Sequence, residues 1–215
     1  MDIPNPVMSY RLFYAEQSAA MGVRVLLEEL AQPYELIETD ISSNSPRSPA
    51  LLRLNPNGWI PVLIWEKGAV YECGAIVTFL CDRHPQAGLA PSAEDANRGR
   101  FLQWLFFFSS SLQNAYQMTY YPDRFCQEET DQGSVKQRSV SRLRELWQVV
   151  DDAIGDQQWL LGSHFTAVDI YLFMLTTWLR DEHGHPRVQE FSNVSRIATA
   201  VMKRPSVRMV YSSSQ

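Results

Sequence analysis

The stretch Asn55-Pro56-Asn57-Gly58-Trp59-Ile60-Pro61-Val62-Leu63 constrains this chain more than any other. Pro-Asn-Gly is turn chemistry, and it delivers the chain into a β-rich run that opens on a proline. A proline at a strand start cannot donate to a ladder, so one main-chain edge is left unpaired. Such an edge can pair with a peptide-like ligand by backbone hydrogen bonds. After a short strand and turn comes Tyr71-Glu72-Cys73-Gly74-Ala75-Ile76, a carboxylate and small residues at the start of an apolar helical run. The outward N–H groups of a helix start favour an anion. Together the two segments predict an edge that takes an amine and a carboxylate close together.

Periodicity organises the rest of the chain. Residues 10–14 read as a strand, and 18–30 carry Ala19, Ala20, Val23, Leu26, Leu27 and Leu30 at helical spacing. A second strand is expected at 34–39 and a short helix at 48–54. A hairpin follows at 62–65 and 69–71 around Glu66-Lys67-Gly68, then a helix at 74–83. The order is βαβαββα, that of a thioredoxin-like α/β domain; the crossover helix makes the first two strands parallel, and the hairpin makes the sheet mixed. Residues 85–91, with prolines at both ends and Gly88 between them, break the pattern. Beyond them, 94–118, 134–154, 166–179 and 188–202 read as helices, punctuated by Pro122, Gly155, Gly184 and Pro205. An α/β domain at 8–86 and an all-α helical bundle at 92–215 are therefore expected. Thr166-Ala-Val-Asp169 has the spacing of a capping box variant, which gives Asp169 a folding role rather than a catalytic one.

Composition closes off several classes of function. The chain has 215 residues, 45% hydrophobic and 20% charged, ordinary for a soluble globular protein. A net charge of −5 supplies no basic field, so nucleic acid is not an expected partner. The longest apolar cluster, Trp104-Leu105-Phe106-Phe107-Phe108, is too short to cross a membrane. The start, Met1-Asp2-Ile3-Pro4-Asn5-Pro6, has neither a basic segment nor an apolar signal core, so a cytoplasmic location is expected. Cys73, Cys81 and Cys126 are odd in number and form no Cys-x-x-Cys pair, which argues against a disulfide framework and a zinc site. His84 and His164 stand apart, and His183-Gly184-His185 reads as a polar turn ended by Pro186, so no metal is expected.

The two signature segments resemble the glutathione-binding signature of the cytosolic glutathione transferases. The family pattern is Asn-Pro-x-Gly-x-Ile-Pro-Val-Leu followed by Glu-Ser-x-Ala-Ile, and Cys73 stands here for the serine. The likeness runs over most of the chain, and Phe165-Thr166-x-x-Asp169 is similar to the family's buried N-capping box. It implies glutathione as co-substrate. It further implies a cis Pro61 that turns the Ile60 backbone toward the cysteinyl part, and a Glu72 that holds the γ-glutamyl amine. The N–H of Cys73 would meet the γ-glutamyl carboxylate, its thiol donating only weakly. The implied activity is attack of the glutathione thiol on a small hydrophobic electrophile. The resemblance also implies a homodimer paired through residues 66–71 and the long helix from Arg98. Two other readings share the scaffold: a non-catalytic or regulatory binding protein, and a glutathione-dependent isomerase or peroxidase.

Transferases of this kind donate a hydrogen bond to the thiolate, the reactive nucleophile. The candidates are Tyr14 and Ser18. Ser18 lies at a helix start, where the dipole favours a thiolate, but N-capping accounts for it equally well. Tyr14 matches the family's first-strand tyrosine, while strand alternation can send its ring into the core. The family's alternative cysteine would fall near Ala19, and Glu16-Gln17 replaces the usual Pro-Gly of this loop. The electrophile site is expected between the domains, lined by Phe107, Ser110 and Asn114, with Phe108, Ser111, Tyr116, Tyr120 and Tyr121 nearby. Apolar rings at helical spacing also serve packing. Arg24 either steers an acidic substrate or pairs with Glu28 at i+4.

Overall fold

The computed structural model describes residues 9–42 and 45–212. Its contacts divide the chain into two compact units, Met1–Gly88 with Arg204–Gln215, and Leu89–Lys203.

The first unit follows the expected order. It contains β1 (Tyr10–Tyr14), α1 (Ala20–Glu29), β2 (Tyr34–Glu38), α2 (Pro49–Leu54), β3 (Val62–Trp65), β4 (Gly68–Tyr71) and α3 (Cys73–Arg83). The sheet order is β2-β1-β3-β4, with β1 and β2 parallel and the other pairs antiparallel. Alternation along β1 sets its two faces. Tyr10, Leu12 and Tyr14 point to the side of α1 and α3, where the Tyr10 hydroxyl meets His84 Nε2 at 2.9 Å. Phe13 points the other way and packs with Leu51 of α2 and Val62 of β3. Ser48 caps α2 by accepting the Leu51 N–H at 3.2 Å, and Pro49 fills the first turn, where its missing N–H costs nothing.

The second unit is helical. Its long first helix starts at Arg98, not at 94, and has three parts: α4 (Arg98–Phe106), a π-helical segment Phe107–Leu112, and α5 (Gln113–Tyr120). The Ser109 and Ser110 hydroxyls both donate to the Phe106 carbonyl, at 3.3 and 2.6 Å, and so compete with the helical ladder where it widens. Then come α6 (Gln132–Ile154), α7 (Ala167–Thr176) and α8 (Ser192–Met202). α6 packs against α5 and α8, and α7 is buried along almost its whole length. Trp147 Nε1 donates to the Tyr116 hydroxyl at 3.1 Å, which donates onward to the Leu175 carbonyl at 2.8 Å.

Asp169 fulfils the capping reading. It is fully buried, and its carboxylate accepts the N–H groups of Thr166 and Leu160 at 2.8 and 3.0 Å. Burial pushes its pKa up to about 6, against the pull of those hydrogen bonds. His185 is also buried: Nδ1 accepts the Arg180 N–H at 3.2 Å, so Nε2 donates to the Thr119 hydroxyl at 3.1 Å. Burial, and then the neighbouring His183, lower its pKa to about 4.

The last helix, α9 (Pro205–Tyr211), returns to the first unit and packs on α1. This corrects the expectation that the helical domain runs from 92 to 215. Arg204 grips Glu29 through Nε and Nη2 at 2.6 and 2.7 Å, and the Ser206 hydroxyl donates to the same carboxylate. Burial alone raises the pKa of Glu29, but these donors outweigh it and hold the group below its ordinary range. Val207 and Val210 are fully buried.

Candidate functional site

Register brings the two signature segments together. Val62 pairs with both Phe13 and Tyr71, so Pro61 lies beside Glu72 at the end of the sheet where β1 stops. The Ile60–Pro61 peptide bond is cis. The carbonyls just before it are held by side chains: Trp59 O accepts from Asn55 Nδ2 at 2.9 Å, and Gly58 O from Arg47 Nε at 3.1 Å. Neither main-chain group of half-buried Ile60 has a hydrogen-bond partner among the described residues. The unpaired edge expected from the proline is present.

Glu72 sits at φ 71°, ψ 120°, a conformation costly for a residue with a Cβ. Strain of this kind is of order 1–3 kcal/mol and concentrates where geometry serves a ligand. Its carboxylate is exposed, and α3 starts at the next residue. Cys73 is buried, with Sγ 3.9 Å from the Ala19 carbonyl. Ala19 precedes the first residue of α1, so the starts of α1 and α3 touch. Each helix start carries about half a positive charge and unpaired N–H groups. The N–H groups of Ser18 and Ala19 have no acceptor among the described residues. A carboxylate for an amine, a free edge for an amide and converging N–H donors for anions thus occupy one rim.

The two hydroxyl candidates are placed differently. Ser18 is buried and donates its one proton to the Ala15 carbonyl at 2.6 Å, while accepting the Ala20 N–H at 3.2 Å. That arrangement closes the turn just ahead of α1. Tyr14 is buried on the α1 side with the Arg24 guanidinium 5.3 Å from its ring centre, and its oxygen accepts a long 3.4 Å hydrogen bond from Arg24. Arg24 also donates to the Tyr34 hydroxyl at 3.1 Å, and Tyr34 donates to Glu28, so the expected Arg24–Glu28 pair is bridged by a phenol.

Phe107, Ser110 and Asn114 all lie on the second unit's first long helix. Phe107 is half-buried with its ring 5.3 Å from that of Trp104; Ser110 and Asn114 are exposed. Phe108 and Tyr116 are fully buried in the helical core, as the packing reading has it. No group of three metal-binding side chains occurs among the described residues. Arg47 and the bracing amide of Asn55 were not singled out as site residues. Arg47 bonds only to main-chain carbonyls, a pattern with no local signature, whereas the Asn55 role could have been read from Asx-turn chemistry.

Residues 8–82 match the model of the glutathione S-transferase N-terminal domain, and residues 134–197 that of the C-terminal domain. The chain belongs to the glutathione S-transferase family. It is 26% identical over 168 residues to glutathione S-transferase GST-4.5 of Xanthomonas campestris, covering 78% of this chain and 81% of that one. It is 25% identical over 177 residues to the disulfide-bond oxidoreductase YfcG of Escherichia coli, covering 79% and 80%. Among solved structures, the glutathione transferase homologue from Sulfitobacter with bound glutathione superposes with a TM-score of 0.87 at 21% identity, over 96% of this chain and 98% of that one. That likeness fixes the fold.

Proposed function

We propose that this transferase binds glutathione along the rim formed by Ile60, Glu72 and Cys73, and presents its thiolate to a small hydrophobic electrophile. The observation that carries the reading is the unpaired Ile60 edge beside an exposed Glu72 held at positive φ at the start of α3. Glutathione has matching groups: a γ-glutamyl amine for Glu72, its carboxylate for the Cys73 N–H, and a cysteinyl amide for Ile60. With the Ser18 proton committed to Ala15, the thiolate is stabilised by the Ser18 and Ala19 N–H groups at the start of α1, and the Ser18 side chain acts by shaping that turn. Phe107, Ser110 and Asn114 contribute to binding the electrophile, and the protein works as a cytoplasmic homodimer.

Calorimetry with glutathione tests the rim. Glu72→Gln removes one charge-assisted contact, worth about 1.5–3 kcal/mol, so affinity should fall at least tenfold. Unchanged affinity in that variant would overturn the assignment of Glu72.

A second reading, a glutathione-binding scaffold with little catalysis, is favoured by the same committed Ser18 hydroxyl. Ultraviolet titration of the bound thiol separates the two. An enzyme lowers the thiol pKa, and a passive scaffold leaves it at the value in free glutathione.

A further inference from the structure

We propose that Arg47 is a positioning residue for glutathione, acting through the turn that presents Ile60; the inference rests on the glutathione reading above. Its guanidinium is spent on main-chain carbonyls. Nε donates to Gly58 O at 3.1 Å, Nη1 to Asp40 O and Ser42 O at 3.0 and 3.1 Å, and Nη2 to Ile41 O at 3.1 Å. A weaker 3.5 Å contact reaches Ser45 O, and the Trp59 ring centre lies 5.8 Å away. The planar fork of five donors suits this task, because several carbonyls can be served at once from one rigid group.

The brace has a second side. Asn55 is buried, its Nδ2 holds Trp59 O, and its Oδ1 accepts the Asn57 N–H at 3.1 Å. Arg47 and Asn55 therefore fix two successive carbonyls, Gly58 and Trp59, immediately before the unpaired main chain of Ile60. The turn is closely fitted to the arginine stem: Gly58 lies at φ +70°, and a Cβ there would stand 3.0 Å from Arg47 Cγ. The far end is held by Asp40 as well: its carboxylate accepts from the Ser45 hydroxyl and the Ser42 N–H, which with a smaller effect of the Arg47 charge hold its pKa down to about 2. Arg47 touches the rim through Gly58 and not through a side-chain contact of its own. Its contribution is to keep the Ile60 edge in one place before the ligand arrives, which spares the ligand the cost of ordering it.

The test is glutathione titration calorimetry on wild type, Arg47→Ala and Arg47→Lys, with the pKa of the bound thiol read by ultraviolet absorbance. Arg47→Ala should weaken glutathione about tenfold, the effect of losing pre-organisation at one edge, and leave the bound-thiol pKa unchanged. Added guanidinium ion at non-denaturing concentration should recover part of the affinity in the alanine variant and do nothing to the wild type. Arg47→Lys, which keeps the charge but cannot serve the same set of carbonyls, should still lose several-fold; it carries the test if the alanine variant does not fold. Wild-type affinity in either folded variant overturns the proposal, as does a shift in bound-thiol pKa that equals the loss in affinity. A wild type that takes up no glutathione overturns the underlying binding assignment instead.

Discussion

Single hydrogen bonds decide what Ser18 and Tyr14 can do. A hydroxyl has one proton, and the one on Ser18 goes to Ala15 while its oxygen holds the Ala20 N–H. Ser18→Ala should loosen the start of α1 and raise the bound-thiol pKa modestly, by about half a unit or less than 1 kcal/mol. Tyr14→Phe should leave that pKa where it is, because the Tyr14 side chain is buried beside Arg24 and the thiolate is assigned to the Ser18 and Ala19 N–H groups. A large rise in the Tyr14 variant alone would make the phenol the thiolate donor and sink the backbone account. Much of this rim was legible in sequence: the Pro61 edge, Glu72 and the start of α3 follow from turn, proline and helix-start chemistry. The commitments of Ser18 and Arg47 were not, since each depends on which carbonyl a folded loop places within reach.

Among the helices, two buried titratable groups act in opposite senses with pH. His185 has a folded pKa of about 4 against an ordinary 6.5, so the unfolded chain takes up the proton first. Its contribution is complete above pH 6.5 and is lost as the pH falls toward 4. Asp169, raised to about 6 from 3.8, favours the folded state more as the pH falls through that window. Replacing His185 by Asn isolates the first effect. Denaturant unfolding at pH 7.5 and pH 5 should show wild type losing more stability than the variant between the two conditions, and parallel losses would refute it. Asp169→Ala should cost about 2–5 kcal/mol at neutral pH, because it strands the buried N–H groups of Leu160 and Thr166. The denaturant midpoint should fall with its slope unchanged. Element types were readable from apolar periodicity, and the capping box from four residues. The π-helical segment was not, because three consecutive serines signal competition with the ladder without saying how the ladder responds.

At the scale of the molecule, Phe106 is 66% exposed on α4, in a helix whose other aromatics are covered. It is the last residue of α4, on the long helix through which the proposed homodimer would pair. Light scattering at micromolar concentration should give about twice the 24.7 kDa chain mass, and Phe106→Glu should shift the population toward monomer. A monomeric wild type would remove the dimer from the account. The division of the chain itself was half visible: the break at 85–91 announced the first boundary, but nothing near Arg204 announced a return, its partner Glu29 lying 175 residues away. That return sets an order of assembly. On a ribosome the strands of the first unit emerge early, yet α1 keeps one flank uncovered until α9 has been made. The helical unit, translated later, has all its residues by Lys203 and can finish sooner. A nonsense codon just after Lys203 would therefore damage the oldest part of the nascent protein and leave the younger part whole.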